Sequence, residues 1–471
     1  MNLVTKAVLD DLAGILGASS VTSDAEKCAV YSEDKTLPWH YGTFTAEAVC
    51  FPESTAQVSA LLQYANERNI PVTPRGAGSG LSGGAVPFMG GIVLSMERMN
   101  NILEIDAENR TLTAEPGVIT SEITKAAKQQ GLFYAGDPCS GDISSIGGNV
   151  AENAGGNKVI KYGATGAHVL GLEVVLADGS VLMLGGKRRK DVTGYDLIHL
   201  IVGSEGTLAV VTKIILNLLP LPTCVTDLLV PMPSVDSAMR LVAAVSTRGG
   251  VIPSSVEFMD RKSIKNVEAH TGMKIPHSDA AAFLIIQMDG MDRRQLWLDV
   301  EKVGDICVDM GALEVFVAED SNARDRVWKI RRLVGEEEWT SSMDLLSKED
   351  VVIPSGRIAR FFEELPTLAA SHNAIYNAFG HVADGNIHLT LFPAASGMES
   401  GELKKMGEAM CGELYTLVKS LGGTLSGEHG IGMKRRNYTS IFLNDAHVAL
   451  LKRIKLAFDP NGILNPGKIV V

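Results

Sequence analysis

Pro74-Arg75-Gly76-Ala77-Gly78-Ser79-Gly80-Leu81-Ser82-Gly83-Gly84 is the stretch on which the fold turns. It follows directly on a strand-like run, Pro71-Val72-Thr73-Pro74. Glycine at this density lets backbone N–H groups approach a ligand closely and cradle an anion such as phosphate. No Gly-Lys-Ser/Thr closes the loop, so it is not a Walker loop. Nor does it open a helix in the manner of a βαβ dinucleotide motif. Pro87 turns the chain, and another strand-like run, Gly91-Ile92-Val93-Leu94-Ser95, follows.

Two more glycine-dense stretches lie downstream. Ser145-Ile146-Gly147-Gly148-Asn149-Val150-Ala151-Glu152-Asn153-Ala154-Gly155-Gly156 is the first, and Gly203-Ser204-Glu205-Gly206-Thr207-Leu208 the second. A single glycine loop is weak evidence, since a flexible turn is the competing reading. Three in one region fit a long ligand lying across a domain, and a dinucleotide meets that demand.

The flanking sequence supplies alternating elements. Val4, Val8, Leu9, Leu12, Ile15 and Leu16 share one helical face near the N-terminus. A strand over 48–51 leads to a helix that opens at Ser54 or Thr55 and runs through Ala65. Further strands are read at 111–115, 172–176 and 207–211, with a hairpin turning at Asp178-Gly179. Leu218-Leu219-Pro220-Leu221-Pro222-Thr223 reads as a linker. Beyond it, strands at 282–287 and 313–317 alternate with helices over 235–248, 324–339 and 401–421, an α+β pattern. The closing stretch, Phe458 to Lys468, is turn-rich and too short to be a domain, so it must dock on something already built.

Composition narrows the class. A chain of 471 residues with 45% apolar content is a packed protein of about two or three domains. A net charge of −12 argues against nucleic acid and against an anionic membrane surface as general partners. The six cysteines show no C-x-x-C spacing, which argues against a zinc ribbon or an iron–sulfur cluster held by this chain, and scattered single cysteines suit a reducing cytoplasm. No signal peptide is visible at the N-terminus, and no apolar run approaches the roughly 18 residues of a membrane span.

A second kind of motif lies near the C-terminus. Gly380-His381-Val382-Ala383-Asp384-Gly385-Asn386-Ile387-His388 contains Asp-Gly, a strong two-residue hairpin signal. With Asp384 and Gly385 as the turn, His381 is expected opposite His388, with Cβ atoms roughly 4.5–5.5 Å apart. Two imidazoles so placed can share a zinc, iron or manganese ion. Ser426-Gly427-Glu428-His429-Gly430 adds a carboxylate ligand, Glu428, and a neighbouring base, His429. These residues alone would suit a metal-dependent hydrolase equally well.

The glycine loop, the Ile-Gly-Gly-Asn stretch, Gly-Ser-Glu-Gly-Thr, Gly-His-Val-Ala-Asp-Gly-Asn-Ile-His, Ser-Gly-Glu-His-Gly-Ile-Gly and the final Ile-Leu-Asn-Pro-Gly-Lys occur in that order. Together they resemble the FAD-linked 2-hydroxyacid oxidoreductases of the vanillyl-alcohol-oxidase superfamily, over nearly the whole chain. The resemblance implies an α+β protein with a two-part FAD-binding domain and an inserted α+β cap domain that carries the substrate site. The expected boundaries are 1–40 for an N-terminal helical segment, 41–222 for the FAD domain, 223–424 for the cap and 425–471 for a segment returning to the FAD domain. The resemblance places FAD on Pro74, Arg75, Gly76, Ala77, Gly78, Ser79, Gly80, Leu81, Pro138, Gly141, Ser145, Gly148, Asn149, Gly156, Glu205 and Asn465. The FAD is expected to be non-covalent, because the first glycine loop lacks the histidine that tethers flavin in some relatives.

The implied reaction is oxidation of a D-2-hydroxy acid, D-lactate or glycolate, to the keto acid, with D-2-hydroxyglutarate as the alternative substrate. The resemblance supports His381, His388 and Glu428 as ligands of a divalent metal and His429 as the base. A substrate carboxylate favours the fork of an arginine. The family places one three residues after Trp328, at Arg331, and Lys348 is a second candidate. Electrons are expected to leave for an iron–sulfur subunit, an electron-transferring flavoprotein or a quinone. The expected location is the cytoplasm, peripheral to a membrane only through a partner subunit. An ether-lipid-synthase-like flavoenzyme is the rival on the same fold.

Overall fold

Residues 4–37, 42–136, 138–335 and 344–469 are described by the computed structural model. They fall into two units. The first comprises residues 1–156, 163–221 and 428–471; the second comprises 157–162 and 222–427.

The first unit holds two main sheets and one two-stranded pair among the described residues. In one, β1 (Val21–Thr22), β2 (Ala48–Cys50), β4 (Ile92–Ser95) and β3 (Val72–Arg75) lie side by side, with β2, β4 and β3 parallel. A parallel neighbour needs a crossover. The helix Thr55–Arg68 supplies it between β2 and β3. Ser54 caps that helix by accepting the Gln57 N–H, and Asn69 ends it in the left-handed conformation. Val58, Leu61, Leu62 and Ala65 form its fully buried stripe, packed with Leu12 and Leu16 of the helix Lys6–Leu16. Each such leucine contributes about 1.5–3 kcal/mol on burial.

The other sheet of this unit is antiparallel, in the order β5 (Ile102–Asp106), β6 (Thr111–Ala114), β10 (Val210–Asn217), β8 (Val169–Val175) and β9 (Val181–Gly185). β8 and β9 are the hairpin expected at Asp178-Gly179, and Gly179 takes the positive φ the turn requires. The strand expected at 207–211 starts later, at Val210, because residues 203–207 remain in the third glycine-rich loop. Leu219–Pro220 (β11), inside the expected linker, pairs with Leu132–Phe133 (β7). The tail docks as anticipated: Val72 N–H donates to Ile463 O, and Asn465 N–H donates to Val72 O.

The second unit is built on one antiparallel sheet of seven strands. The strands are β12 (Cys224–Met232), β13 (Ser255–Asp260), β14 (Ala282–Gly290), β15 (Phe316–Ala318), β16 (Ser347–Val352), β17 (Ala374–His381) and β18 (Asn386–Pro393). Their order across the sheet is β15-β12-β14-β13-β17-β18-β16. Helices Arg261–Thr271 and Ser321–Gly335 pack on one face, where Met259, Phe283, Ile285, Val327 and Ile330 form a core. Helices Val235–Thr247, Arg293–Asp309, Ile358–Ser371 and Ser400–Ser420 pack with one another and with the sheet. The end of the helix expected at 324–339 lies outside the described residues from position 336 onward. Among the described residues, no helix is long and apolar enough to cross a membrane.

Candidate functional site

In the first unit, the three glycine-dense stretches converge on one cavity. Residues 74–81 line it throughout, joined by Pro138, Ser145, Gly148, Asn149 and Glu205. Packing explains the glycines. A Cβ on Gly76 would stand 2.3 Å from Ser145 Oγ and 3.4 Å from Gly148 N, so the first loop lies directly on the second. Among the described residues, Gly141, Gly156 and Asn465 stand outside the wall. Gly141 closes a turn by donating to Pro138 O. Asn465 donates through Nδ2 to Gly84 O at 2.9 Å and to Glu205 O at 2.7 Å, tying the tail to two of the loops.

The wall suits a dinucleotide. Ser145 Oγ is buried with no hydrogen-bond partner among the described residues, and it makes no capping bond to its own helix, Ile146–Glu152. A buried hydroxyl left unpaired costs about 1–3 kcal/mol, which a phosphate or ring oxygen would recover. Leu81, Ile201, Val210 and Val211 give the same cavity apolar surface for a flat ring.

Glu428 and His429 also line this cavity, each half-buried. Glu205 anchors the segment that carries them. Its carboxylate accepts the N–H groups of Ile431 and Gly432, both at 2.7 Å. Gly430 passes between two acids: its φ is +79°, and a Cβ there would meet Glu152 Oε2 at 2.3 Å and Glu205 Oε1 at 2.9 Å. His429 Nε2 stands 3.7 Å from Glu428 Oε1. Burial, reinforced by the Glu205 charge, pushes the Glu152 carboxyl well above its ordinary range. Burial raises Glu205 too, against the two backbone N–H groups. Burial lowers the Lys468 ammonium to about 8, although Asp34, Glu205 and Glu152 oppose the shift.

The second unit gathers the other expected residues on one face of its sheet. Side chains alternate along a strand, so the ladder register settles which residues share a face. Lys348 pairs with Thr390, Asp350 with His388, His388 with Phe379, and Glu257 with His381. Lys348, Asp350, His388, His381 and Glu257 therefore line one face across four neighbouring strands. Arg331 reaches the same group from the helix Ser321–Gly335, its Nε 2.6 Å from Glu257 Oε2.

The hairpin register differs from the sequence expectation. His388 stands opposite Phe379, not His381. The connection is a four-residue loop, 382–385, closed by Asp384 N–H to His381 O and Gly385 N–H to Val382 O. Asp-Gly is not the whole turn because Gly385 meets another backbone: Ile353 N–H donates to its carbonyl, and a Cβ there would lie 2.2 Å from Ile353 O. A slip of two residues preserves the face. The two imidazoles remain neighbours, ring centroids 5.3 Å apart and nearly perpendicular.

Two buried acids in this unit have no local sequence signal. Glu257 is fully buried and bridges His381 Nδ1, at 2.6 Å, and Arg331 Nε. Burial favours its neutral form, but pairing with His381 and Arg331 prevails and holds its carboxyl at about 2. Asp350, also fully buried, accepts from Asn386 Nδ2 at 2.6 Å, Ser426 Oγ at 2.7 Å and Gly427 N–H at 2.9 Å. Its Oδ1 is 3.9 Å from His388 Nδ1.

Comparison with known proteins follows the same division. Residues 46–185 match the FAD binding domain family, and residues 221–469 match the family described as FAD linked oxidases, C-terminal domain. The chain is 36% identical over 474 residues to the glycolate oxidase subunit GlcD of Bacillus subtilis, covering 99% of this chain and 97% of that protein. It is 34% identical over 434 residues to the D-lactate dehydrogenase of Anaerostipes hadrus, covering 91% and 90%. To the D-2-hydroxyglutarate dehydrogenase of Stutzerimonas stutzeri it is 31% identical over 469 residues, covering 98% of each. Among solved structures, 4-ethylphenol oxidase from Gulosibacter chungangensis aligns with a TM-score of 0.78 at 20% identity, covering 98% of this chain and 96% of that one. Alkyldihydroxyacetonephosphate synthase aligns with a TM-score of 0.77 at 17% identity, covering 98% and 84%. At those identities the likeness speaks for the fold alone. Fold, cavity and relatives agree: the chain belongs to the FAD-linked oxidases of the vanillyl-alcohol-oxidase superfamily and is an FAD-dependent oxidoreductase.

Proposed function

We propose that this chain oxidises a D-2-hydroxy acid, D-lactate or glycolate, to the corresponding 2-keto acid. The observation that carries the reading is the position of His429 and Glu428 in the wall of the cavity built by the three glycine-rich loops. A base there stands beside the cofactor that must receive the hydride. The names of the three relatives, each an oxidase subunit or dehydrogenase of a 2-hydroxy acid, support the substrate class.

Oxidation removes a hydride from the α-carbon and a proton from the hydroxyl. Bound FAD supplies the two-electron acceptor. A divalent ion, zinc, iron or manganese, held by His381, His388 and Glu428 would acidify the hydroxyl. Two imidazoles and a carboxylate are a donor set such an ion accepts, and the contact between the His381 and His388 rings supports it. His429 takes the hydroxyl proton, since imidazole titrates near ~6.5. Arg331 and Lys348 hold the substrate carboxylate. Arg331 is steadied by Glu257 and by the ring of Phe379, 4.7 Å from its guanidinium carbon. FAD is bound without a covalent tether. Electrons then pass to an acceptor outside the chain: an iron–sulfur subunit, an electron-transferring flavoprotein or a quinone.

The test is anaerobic titration of the purified yellow protein with D- and L-2-hydroxy acids, including D-2-hydroxyglutarate. D-lactate or glycolate should bleach the flavin. A flavin that no 2-hydroxy acid bleaches would remove the substrate class. Bleaching by D-2-hydroxyglutarate alone would replace the assigned acid. Bleaching at an unchanged rate after verified metal removal would remove the ion from the reaction.

A further inference from the structure

We propose that Glu257 is a positioning residue that fixes His381 in the one tautomer able to coordinate a metal ion, while locking Arg331 to the same carboxylate. The proposal rests on the reading above, in which His381 is a metal ligand. It assigns a second role to a side chain that the reaction scheme uses only to steady Arg331.

Glu257 stands directly opposite His381 in the β13–β17 ladder. Its carboxylate is fully buried and takes three donors, one of them the Ser255 hydroxyl, which donates to Oε1 at 3.2 Å. Oε1 is 2.6 Å from His381 Nδ1, and Oε2 is 2.6 Å from Arg331 Nε. Arginine stays charged and can only donate, and an ionised carboxylate can only accept. His381 Nδ1 must therefore carry a proton. In a neutral imidazole that leaves the lone pair on Nε2. A ligating histidine commonly has its other ring nitrogen bonded to a carboxylate in this way, which fixes ring orientation and raises basicity. Because the same carboxylate holds Arg331, the ring on the metal side and the cation on the substrate side share one anchor.

The geometry gives an unusually discriminating substitution. Glu257→Gln keeps size and shape, but its amide has one accepting and one donating end. Arg331 Nε can only donate, so the amide oxygen must face it. The amide nitrogen then faces His381 Nδ1, which has to become an acceptor. The ring proton moves to Nε2, and the lone pair needed by the metal is lost. Glu257→Asp keeps two acceptor oxygens and should retain the tautomer.

Manganese or zinc binding to the metal-stripped flavoprotein would be measured by calorimetry, alongside the flavin absorbance spectrum. Glu257→Gln should bind metal about 10- to 100-fold more weakly than wild type, with its flavin spectrum unchanged, and Glu257→Asp should recover part of the loss. The chain has ten histidines, so selective 15N-histidine labelling can follow the ring directly. His381 in the metal-free wild type should carry its proton on Nδ1, a reading that needs no variant to fold. Wild-type affinity in Glu257→Gln, or a neutral wild-type ring with its proton on Nε2 in place of Nδ1, overturns the proposal alone. Absence of metal binding in wild type, or full binding in His388→Ala, overturns the reading beneath it as well.

Discussion

Asp350 accepts the backbone N–H of Gly427 at 2.9 Å. The same carboxylate takes the Asn386 amide and the Ser426 hydroxyl, so one buried acid joins β16, the start of β18 and the 426–427 segment. A bond from a neutral donor to a charged acceptor contributes about 1.5–3 kcal/mol, and a donor left unpaired in the interior adds a penalty. Asp350→Ala should therefore lose at least about 3 kcal/mol of stability. Asp350→Asn, which still accepts through one oxygen, should lose less. Thermal unfolding followed by circular dichroism checks this ordering. An alanine variant that melts with the wild type would mean the three bonds contribute nothing.

His429 lines the cavity of the three glycine-rich loops, and Glu205 holds its segment through the Ile431 and Gly432 N–H groups. Replacing the imidazole should leave FAD binding intact while removing the base. General base catalysis contributes typically 10²- to 10⁴-fold. His429→Asn should then retain a full flavin spectrum and slow anaerobic reduction at least about 100-fold. Reduction at the wild-type rate would transfer the proton abstraction to another group.

Gly430 of that segment has no room for a side chain. Its left-handed backbone disfavours any side chain, and the Glu152 and Glu205 carboxyls occupy the space a Cβ would need. Gly430→Ala should displace the 428–432 segment and weaken FAD retention. Fluorescence titration of the stripped protein with FAD measures it. Unaltered FAD affinity would show that the segment tolerates the methyl group.

What the sequence disclosed was local. The glycine-rich loops were legible because dense glycine is a statement about backbone approach, and the Asp178-Gly179 hairpin because turn chemistry acts over a few residues. The histidine hairpin shows where that stops. Its face was predictable from the period of two, but its register was not. Gly385 meets Ile353, brought in by the β16–β18 pairing. Glu257 lies 124 residues before the histidine it orients, and nothing in Ser255-Val256-Glu257-Phe258 announces a partner. Gly141, Gly156 and Asn465 were placed by resemblance among the cofactor contacts, yet they stand outside the cavity wall. For Gly141 and Asn465 the chain offers another role, closing turns and tying loops.

Lys468 gives a pH signature. Burial lowers its folded-state value to about 8, from 10.5 when exposed. Between those values the unfolded chain holds the proton and the folded chain has released it. Stability from this group therefore rises with pH across that window, by linkage. Below about pH 8 both states are protonated, and the full cost of burying the charge is present. Buried tyrosine and cysteine groups act in the opposite sense at alkaline pH, so the informative quantity is a difference. Wild type minus Lys468→Met should gain unfolding free energy from pH 8 to 10.5 in urea titrations. A flat difference would place the ammonium in a more polar setting than its burial implies.

Covalent attachment of flavin needs a nucleophilic side chain against the ring. The first glycine loop, 74–84, supplies no histidine or cysteine. Cys139 does line the cavity, however, and it is a free thiol. That makes the non-covalent expectation testable at this thiol. Acid precipitation of the yellow protein should leave a colourless pellet and release all the flavin to the supernatant. Cys139→Ser should leave the stoichiometry of bound flavin unchanged. A yellow pellet from the wild type that turns colourless in Cys139→Ser would show that the thiol, not the glycine loop, decides how this chain keeps its cofactor.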